Sequence, residues 1–286
     1  MAVKERVIGS IRRRKSLKII LILGGPLALF AIFFMVPFLI SLMYSIGVPR
    51  QLPTAEYYAR AVNPLYLKVL ARSLVLGTAT TLSCLVLGYP IAYFIALKAQ
   101  RLKNFMVIVI IVPYWVSFLL RAYALMTILD PRGILNSLLL RIGLIENPLP
   151  LLYNTQIVAL AMLYAYMPFA ILPLYASLEK LNVNLLEAAR ALGASPARTF
   201  LHVTLPLSKP GLAAAWLLTF IPATGEYVIP ALLGGTGDYY VGQLIWDSFL
   251  SMRDWYFGSA ISAFYLTIVM VGVILYLKYV GEEVRI

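Results

Sequence analysis

Two ionisable side chains, Arg121 and Glu226, lie within long apolar segments of the sequence. A charge at the centre of a bilayer costs about 2.5–3.5 kcal/mol on the mildest scale, so such a residue usually has a partner or a function. Each lies about 17 residues along its segment, or roughly 25 Å along a helix. Two alternatives follow. Arg121 and Glu226 form an intramembrane pair, or Arg121 extends to the membrane surface while Glu226 faces an aqueous pathway.

Acidic and aromatic residues follow Glu226 closely in sequence and predict a mouth suited to cations. They are Tyr227, Asp238, Tyr239, Tyr240, Trp246 and Asp247. Carboxylates attract ammonium groups, and a cation over an aromatic face gains about 0.5–2 kcal/mol. Glu226, Tyr227, Trp246 and Asp247 are therefore the candidate residues of a solute pathway. Aromatic residues also collect at membrane interfaces in general, so this pattern alone does not identify the solute.

The sequence offers no constellation for catalysis, for a metal ion or for a cofactor. His202 is the only histidine and Cys84 the only cysteine, so neither a catalytic pair nor a thiol cluster is available. The phosphate-binding pattern G-x-x-x-x-G-K-[ST] does not occur. We therefore expect a chain that is not an enzyme and takes its energy from a partner. The basic residues do not line one soluble face, so the net charge of +12 does not indicate nucleic-acid binding.

The longest polar connection, which we call the 179–209 loop, has the pattern of two short helices joined by a turn. The first helix, Leu185–Gly193, ends at a glycine and places Leu185, Ala189 and Leu192 on one face. Ser195 is a suitable N-cap and Pro196 suits the first helical position of the second helix. Pro206 should end that helix. An exposed helical elbow of this kind has the shape of a docking element for a groove on a soluble partner.

Six long apolar runs must position these residues. The chain of 286 residues is 62% hydrophobic and only 13% charged, about half the charged share of a soluble protein. The runs cover residues 19–49, 73–97, 104–120, 147–178, 210–225 and 255–277. Most approach or exceed the roughly 18–20 residues that cross a hydrocarbon core. The sequence predicts an all-α integral membrane protein with six spans, forming a single domain over residues 1–286.

The distribution of basic residues predicts the orientation of these spans. If the N-terminus is cytoplasmic, sixteen of the 24 Lys and Arg residues lie inside, seven of them in the basic segment 1–18. Seven lie outside when Arg121 is left out as intramembrane, and the last outer loop carries an acidic surplus. The positive-inside rule therefore places both termini and the 179–209 loop in the cytoplasm.

A motif in the 179–209 loop resembles the EAA motif of ABC importer permeases. The family pattern is EAA, three residues, G, nine residues and I-x-L-P, and it matches Glu187-Ala188-Ala189, Gly193 and Val203-Thr204-Leu205-Pro206. Val203 replaces the isoleucine with a residue of similar volume. The resemblance to permeases of the spermidine/putrescine type extends over nearly the whole chain and includes residues 225–230 and 232–235.

The resemblance implies a type I ABC importer permease fold with six transmembrane helices and a cytoplasmic coupling helix between spans four and five. It also implies that the ATP-binding subunits contact a set of residues in the 179–209 loop, namely Glu187, Ala188, Ala189, Gly193, Leu205 and Pro206. The implied cargo is spermidine or putrescine. Permeases for iron, thiamine or organic phosphonates are similar, and a stand-alone secondary transporter is the alternative from another class.

The same resemblance implies several partners in a bacterial inner membrane. They are a dimer of ATP-binding subunits, a second homologous permease subunit, an extracytoplasmic solute-binding protein and the lipid bilayer. A second permease is also expected because six spans alone make too small a pore. No cofactor and no nucleic acid is expected in this assembly.

Overall fold

The computed structural model describes residues 24–50, 52–99 and 101–284, and no strand occurs among them. The basic segment 1–18 lies outside the described residues, as do residues 285 and 286 at the C-terminus. The described chain is built from helices of very different lengths, which confirms the predicted all-α class. The longer helices supply the bundle, and the shorter ones form its connections.

Thirteen helices are numbered here in chain order. They are α1 (Gly24–Ser45), α2 (Glu56–Ala61), α3 (Pro64–Leu97), α4 (Lys103–Ile111), α5 (Phe118–Leu129), α6 (Ile134–Arg141), α7 (Thr155–Leu178), α8 (Val183–Ala191), α9 (Pro196–Thr199), α10 (Lys209–Thr224), α11 (Val228–Leu233), α12 (Val241–Trp246) and α13 (Trp255–Val284).

Four of these helices, α1, α3, α7 and α13, are long and apolar enough to cross a membrane. A fifth span is counted if the helices from Lys103 to Arg141, which bend by 90° after Trp115, form one crossing. The bend follows a 3-10 turn at Val112–Trp115 that contains Pro113, and Val116 is extended. Proline removes a helix donor and its ring clashes with the preceding turn, which explains the break.

The predicted fifth span is also discontinuous, like the third. Helix α10 has 16 residues, or about 24 Å, which is less than the roughly 30 Å hydrocarbon core. Gly225 to Tyr227 interrupt it, and the chain restarts as α11. Pro222 lies in the last turn before the break.

Helices α3, α7 and α10 pack together as the central core of the bundle. Glycines allow two of the close approaches: a Cβ on Gly77 of α3 would lie 2.8 Å from Thr224 Cα, and one on Gly211 would lie 2.8 Å from Ser177 Oγ. Cys84 is fully buried in this core. The 179–209 loop joins α7 to α10, and the break at Gly225 to Tyr227 follows α10. Both segments are therefore attached to the central core.

Candidate coupling loop and interrupted fifth span

The 179–209 loop folds as the elbow that its capping residues predict. Asn182 Oδ1 accepts the N–H of Asn184 at 3.0 Å and begins α8, two residues before the predicted start. Gly193 follows the helix with φ of +84°, the left-handed conformation that glycine adopts most easily. Ser195 Oγ then accepts the N–H of Arg198 at 3.4 Å and begins α9. These three features confirm the predicted helix, turn and N-cap.

Pro206 does not end the second short helix, contrary to the prediction. After α9 the chain continues through a π-turn at Phe200–Thr204 and a helical turn at Leu205–Leu207, and α10 begins at Lys209. The backbone N–H of Leu205 bonds Phe200 O, five residues back. A π-turn widens the helix locally, which accommodates the proline ring without a complete break. The elbow is therefore almost continuous with α10.

Most motif residues in the elbow are exposed to solvent. Glu187, Ala188, Gly193 and Pro206 are exposed, whereas Ala189 and Leu205 are half-buried. The structure brings them onto one elbow but does not bury them, so they are free to contact a partner.

Several apolar side chains of the same elbow are also exposed. Leu185 is 47% exposed and Leu192 is 89% exposed, while the buried residue of α8 is Leu186. The predicted face of Leu185, Ala189 and Leu192 therefore points away from the bundle rather than into it. An apolar surface of this kind commonly marks a protein contact.

The base of the elbow is attached to α3 by aromatic and hydroxyl contacts. The ring of Phe200 packs edge-on against Tyr89 at 5.5 Å and against Tyr93 at 6.3 Å between centroids. Tyr89 Oη and Ser208 Oγ, both buried, are hydrogen-bonded at 2.8 Å. These contacts connect the elbow directly to a helix of the central core.

An ion pair connects the start of the loop to α4. Glu179 accepts from Lys103, and this hydrogen bond lowers the pKa of the Glu179 carboxyl below its ordinary value, with a further contribution from Tyr175. The Glu179 side chain is exposed and the Lys103 side chain is half-buried. An exposed pair of this kind contributes little stability, but it restrains where the loop leaves α7.

Glu226 lies at the interruption between α10 and α11 and is buried, with 9% of its surface exposed. Its Oε1 accepts the N–H groups of Val228 at 2.7 Å and Ile229 at 3.3 Å. Its Oε2 accepts the hydroxyl of Tyr166 from α7. Both carboxylate oxygens thus have donors from the chain itself.

The structure does not bring Arg121 and Glu226 together. Among the residues that the structure describes, no ion pair joins them within 4.0 Å. The Arg121 guanidinium instead lies over the ring of Tyr114 at 4.3 Å, with Phe118 at 5.6 Å. Equal depth along two helices does not fix the directions in which the side chains point, and the alternative of an intramembrane pair is not seen among the described residues.

The acidic and aromatic residues of the predicted mouth lie in two separate groups, and the first contains the other three predicted pathway residues. Tyr227 and Trp246 stack with centroids 4.7 Å apart, and the neighbouring Asp247 accepts the Tyr239 hydroxyl at 2.7 Å. Burial, followed by this bond to Asp247, raises the pKa of Tyr239. Trp246 is 47% exposed, so this group is accessible.

The second group surrounds Asp238 and borders a cavity of about 880 Å³. Asp238 is 8% exposed and accepts the Thr155 hydroxyl and the Gly235 N–H. Burial, followed by the charge of Asp238, raises the pKa of Tyr240 to about 12. The cavity is also lined by Lys68 and Arg72, so its charge is mixed rather than acidic throughout.

Comparison with protein families decides which class this architecture belongs to. Residues 86–281 match the family described as "Binding-protein-dependent transport system inner membrane component". The chain belongs to this family. It is therefore an inner-membrane component of a transport system that depends on a binding protein, which does not favour the stand-alone secondary transporter.

Two curated relatives of this permease share its sequence over a long region. "Spermidine/putrescine transport system permease protein PotB" of Salmonella typhimurium (strain LT2) is 43% identical over 217 residues, covering 76% of this chain and 75% of the relative. The protein of the same name from Escherichia coli (strain K12) is 42% identical over 217 residues, covering 76% and 78%.

A solved structure confirms the fold of the permease. A chain of a bacterial ABC transporter involved in the import of the acidic polysaccharide alginate superimposes with a TM-score of 0.74 at 17% identity, covering 95% of this chain and 99% of that one. The type I ABC importer permease fold predicted from the EAA resemblance is thereby confirmed, with the third and fifth spans interrupted as described.

Sequence reasoning missed the residues that hold this site together. Tyr166, Thr155, Tyr89 and Ser208 are distant in sequence from the residues they bond. All four carry a hydroxyl, and all but Ser208 lie within the apolar runs of the sequence, which is the signal that could have identified those three. A buried hydroxyl in a span needs a partner.

Proposed function

We propose that this chain is a membrane-spanning permease subunit of an ATP-driven importer for the polyamines spermidine and putrescine. The observation that carries the proposal is the 42–43% identity, over three quarters of the chain, to two permeases named for these solutes. An acidic and aromatic group beside the interrupted fifth span supports a cationic cargo, because ammonium groups bind carboxylates and aromatic faces.

ATP hydrolysis belongs to a dimer of partner subunits in this proposal. The sequence contains no G-x-x-x-x-G-K-[ST] loop to hold the phosphates. The exposed elbow with Glu187, Ala188 and Gly193 supplies the docking element, and Ala189, Leu205 and Pro206 complete the motif. Movement of the elbow passes to α3 through the ring contact of Phe200 with Tyr89 and the hydrogen bond of Ser208 with Tyr89.

The remaining partners are a second homologous permease subunit and an extracytoplasmic solute-binding protein. The central helices α3, α7 and α10 pack directly on one another, so a pathway needs a second subunit to form its other wall. The family's dependence on a binding protein supports the second partner. Both termini and the 179–209 loop face the cytoplasm, and a tag after Ile286 is expected to resist protease added outside.

The solute is proposed to pass the accessible group of Tyr227, Trp246 and Asp247 at the end of the bundle opposite the 179–209 loop. Trp246 is exposed, and Tyr227 and Asp247 are half-buried. The stacked rings and the carboxylate offer both kinds of contact that a polyammonium chain uses. Glu226 is covered by its own internal bonds and lies behind this group.

The test is uptake by cells that lack endogenous polyamine import and express this chain with its ATPase, second permease and binding protein. Labelled spermidine and putrescine are expected to accumulate, and unlabelled iron, thiamine or phosphonate is expected not to compete. Glu187→Lys is the negative control: it alters the exposed elbow without changing the span residues, and it is expected to lose uptake. In parallel assays with iron, thiamine or phosphonate labelled, accumulation of one of these solutes with neither polyamine taken up would contradict the proposal.

A further inference from the structure

The carboxylate of Glu226 meets a requirement created by the broken fifth span. The first N–H groups of any helix have no partner within that helix, and an unsatisfied backbone group in hydrocarbon costs several kcal/mol. Glu226 Oε1 accepts two such groups at the start of α11, those of Val228 and Ile229. The two backbone N–H groups at the start of α11 therefore have a buried side chain as their hydrogen-bond acceptor.

Tyr166 fixes the second oxygen of the same carboxylate. It lies in the middle of α7, is 4% exposed, and donates its hydroxyl to Glu226 Oε2. Its ring is held by Phe118 and Phe169, with centroids 6.4 and 6.0 Å away. This hydrogen bond connects the break in the fifth span to α7, a helix of the central core.

The residue held between these bonds is Tyr227, one of the two stacked aromatic residues. It follows Glu226 directly and precedes Val228, and it stacks on Trp246 of α12. The backbone at the break also packs closely against α12. A Cβ on Gly242 would lie 2.7 Å from Gly225 O and 2.8 Å from Glu226 O. The position of both rings therefore depends on the backbone that Glu226 holds.

We propose that Glu226 and Tyr166 are positioning residues for transport: their hydrogen bond holds the interrupted fifth span so that Tyr227 and Trp246 stand in register at the solute pathway. The inference rests on the proposed transport function. It replaces the role of solute ligand that the sequence assigned to Glu226 with that of an internal brace whose hydrogen bonds, rather than its charge, are needed.

Glutamine separates the two roles because it keeps the hydrogen bonds and removes the charge. In Glu226→Gln the amide oxygen still accepts from the α11 N–H groups, and the amide NH₂ can donate to the Tyr166 oxygen. We expect Vmax and apparent KM for polyamine uptake to stay within about twofold of the wild type. A carboxylate that binds a polycation directly would instead lose affinity, with a higher KM.

Alanine and phenylalanine remove the brace. Glu226→Ala is expected to lower Vmax at least about tenfold and Tyr166→Phe about three- to tenfold, with KM unchanged, because buried hydrogen bonds to a charged group are lost. Tyr114→Phe is the matched control, since Tyr114 also donates a hydroxyl to α7, at Ala165 O, without contacting Glu226. We expect this control to transport normally.

A labelling experiment tests the brace without any solute. Ile229 is 1% exposed and its backbone N–H donates to Glu226 Oε1, so in a Cys84→Ala background Ile229→Cys should react slowly with a water-soluble maleimide. Adding Glu226→Ala or Tyr166→Phe should accelerate the reaction several-fold, whereas adding Glu226→Gln should not.

The outcomes distinguish failure of the brace from failure of the proposed function. Two results would overturn the positioning role of Glu226. One is an equal loss of uptake, with a raised KM, in Glu226→Gln and Glu226→Ala. The other is a maleimide labelling rate of Ile229→Cys that Glu226→Ala leaves unchanged. If the wild-type complex takes up neither polyamine, the proposed cargo fails while the labelling series still decides on the brace.

Discussion

Replacing Gly193 by alanine tests whether the turn of the 179–209 loop couples ATP hydrolysis to transport. Gly193 has φ of +84°, and no atom lies within 4 Å of an added Cβ. The substitution therefore adds left-handed strain of about 1–2 kcal/mol and no clash. That strain reduces the population of the observed turn by about 5- to 30-fold. If the turn presents Glu187 to the ATPase, transport per ATP hydrolysed should fall by up to the same factor.

Gly143 provides a control with the same local strain in a different loop. It has φ of +72° and an equally open surrounding, and it follows α6 rather than α8. Both alanine variants should lower the melting temperature of the purified complex to a similar extent. The assay is the ratio of initial solute uptake to ATP hydrolysis in vesicles. A normal ratio for Gly193→Ala, or the same loss of ratio for Gly143→Ala, would refute the reasoning.

Three further predictions concern the core and the loop. Gly77→Ala should destabilise the detergent-purified subunit by about 1–3 kcal/mol because its Cβ would overlap Thr224, whereas Gly272→Ala, in open space, should leave the melting temperature unchanged or raise it. Glu187→Lys should retain insertion and basal stability but lose transport, and normal uptake by this variant would contradict docking through the elbow. The folded-state pKa of Glu179 lies below its ordinary value of 4.5, so its stabilising pair with Lys103 is present above that pH and is lost as the pH falls below it. The melting difference between wild type and Glu179→Gln should therefore disappear under acidic conditions, and a difference that persists there would exclude the ion pair as its cause.

The elbow could be predicted from sequence because its determinants are local. A left-handed glycine at Gly193 and a capping Ser195 before Pro196 act within a few residues, so their types and spacing are enough. The prediction that the helix ends at Pro206 was wrong, and the cause is also local. A π-turn before the proline absorbs the missing hydrogen bond, and the pattern of apolar residues does not reveal it.

The environment of Glu226 could not be predicted from its surroundings in the sequence. The sequence singled the residue out as an ionisable group in a predicted span, but its hydroxyl partner lies 60 residues away in α7. Counting residues gave similar depths for Arg121 and Glu226, and depth says nothing about the direction of a side chain around its helix. Pairing across the bundle depends on helix rotation and packing, which only the assembled structure provides.

The measurement that tests the central claim most directly is purification of the native complex through a tag on this chain, followed by mass spectrometry of its partners and bound solute. We predict recovery of an ATP-binding subunit, a second permease and a binding protein that carries spermidine or putrescine. Recovery of the chain without an ATPase, or of a binding protein loaded with a different solute, would contradict the account.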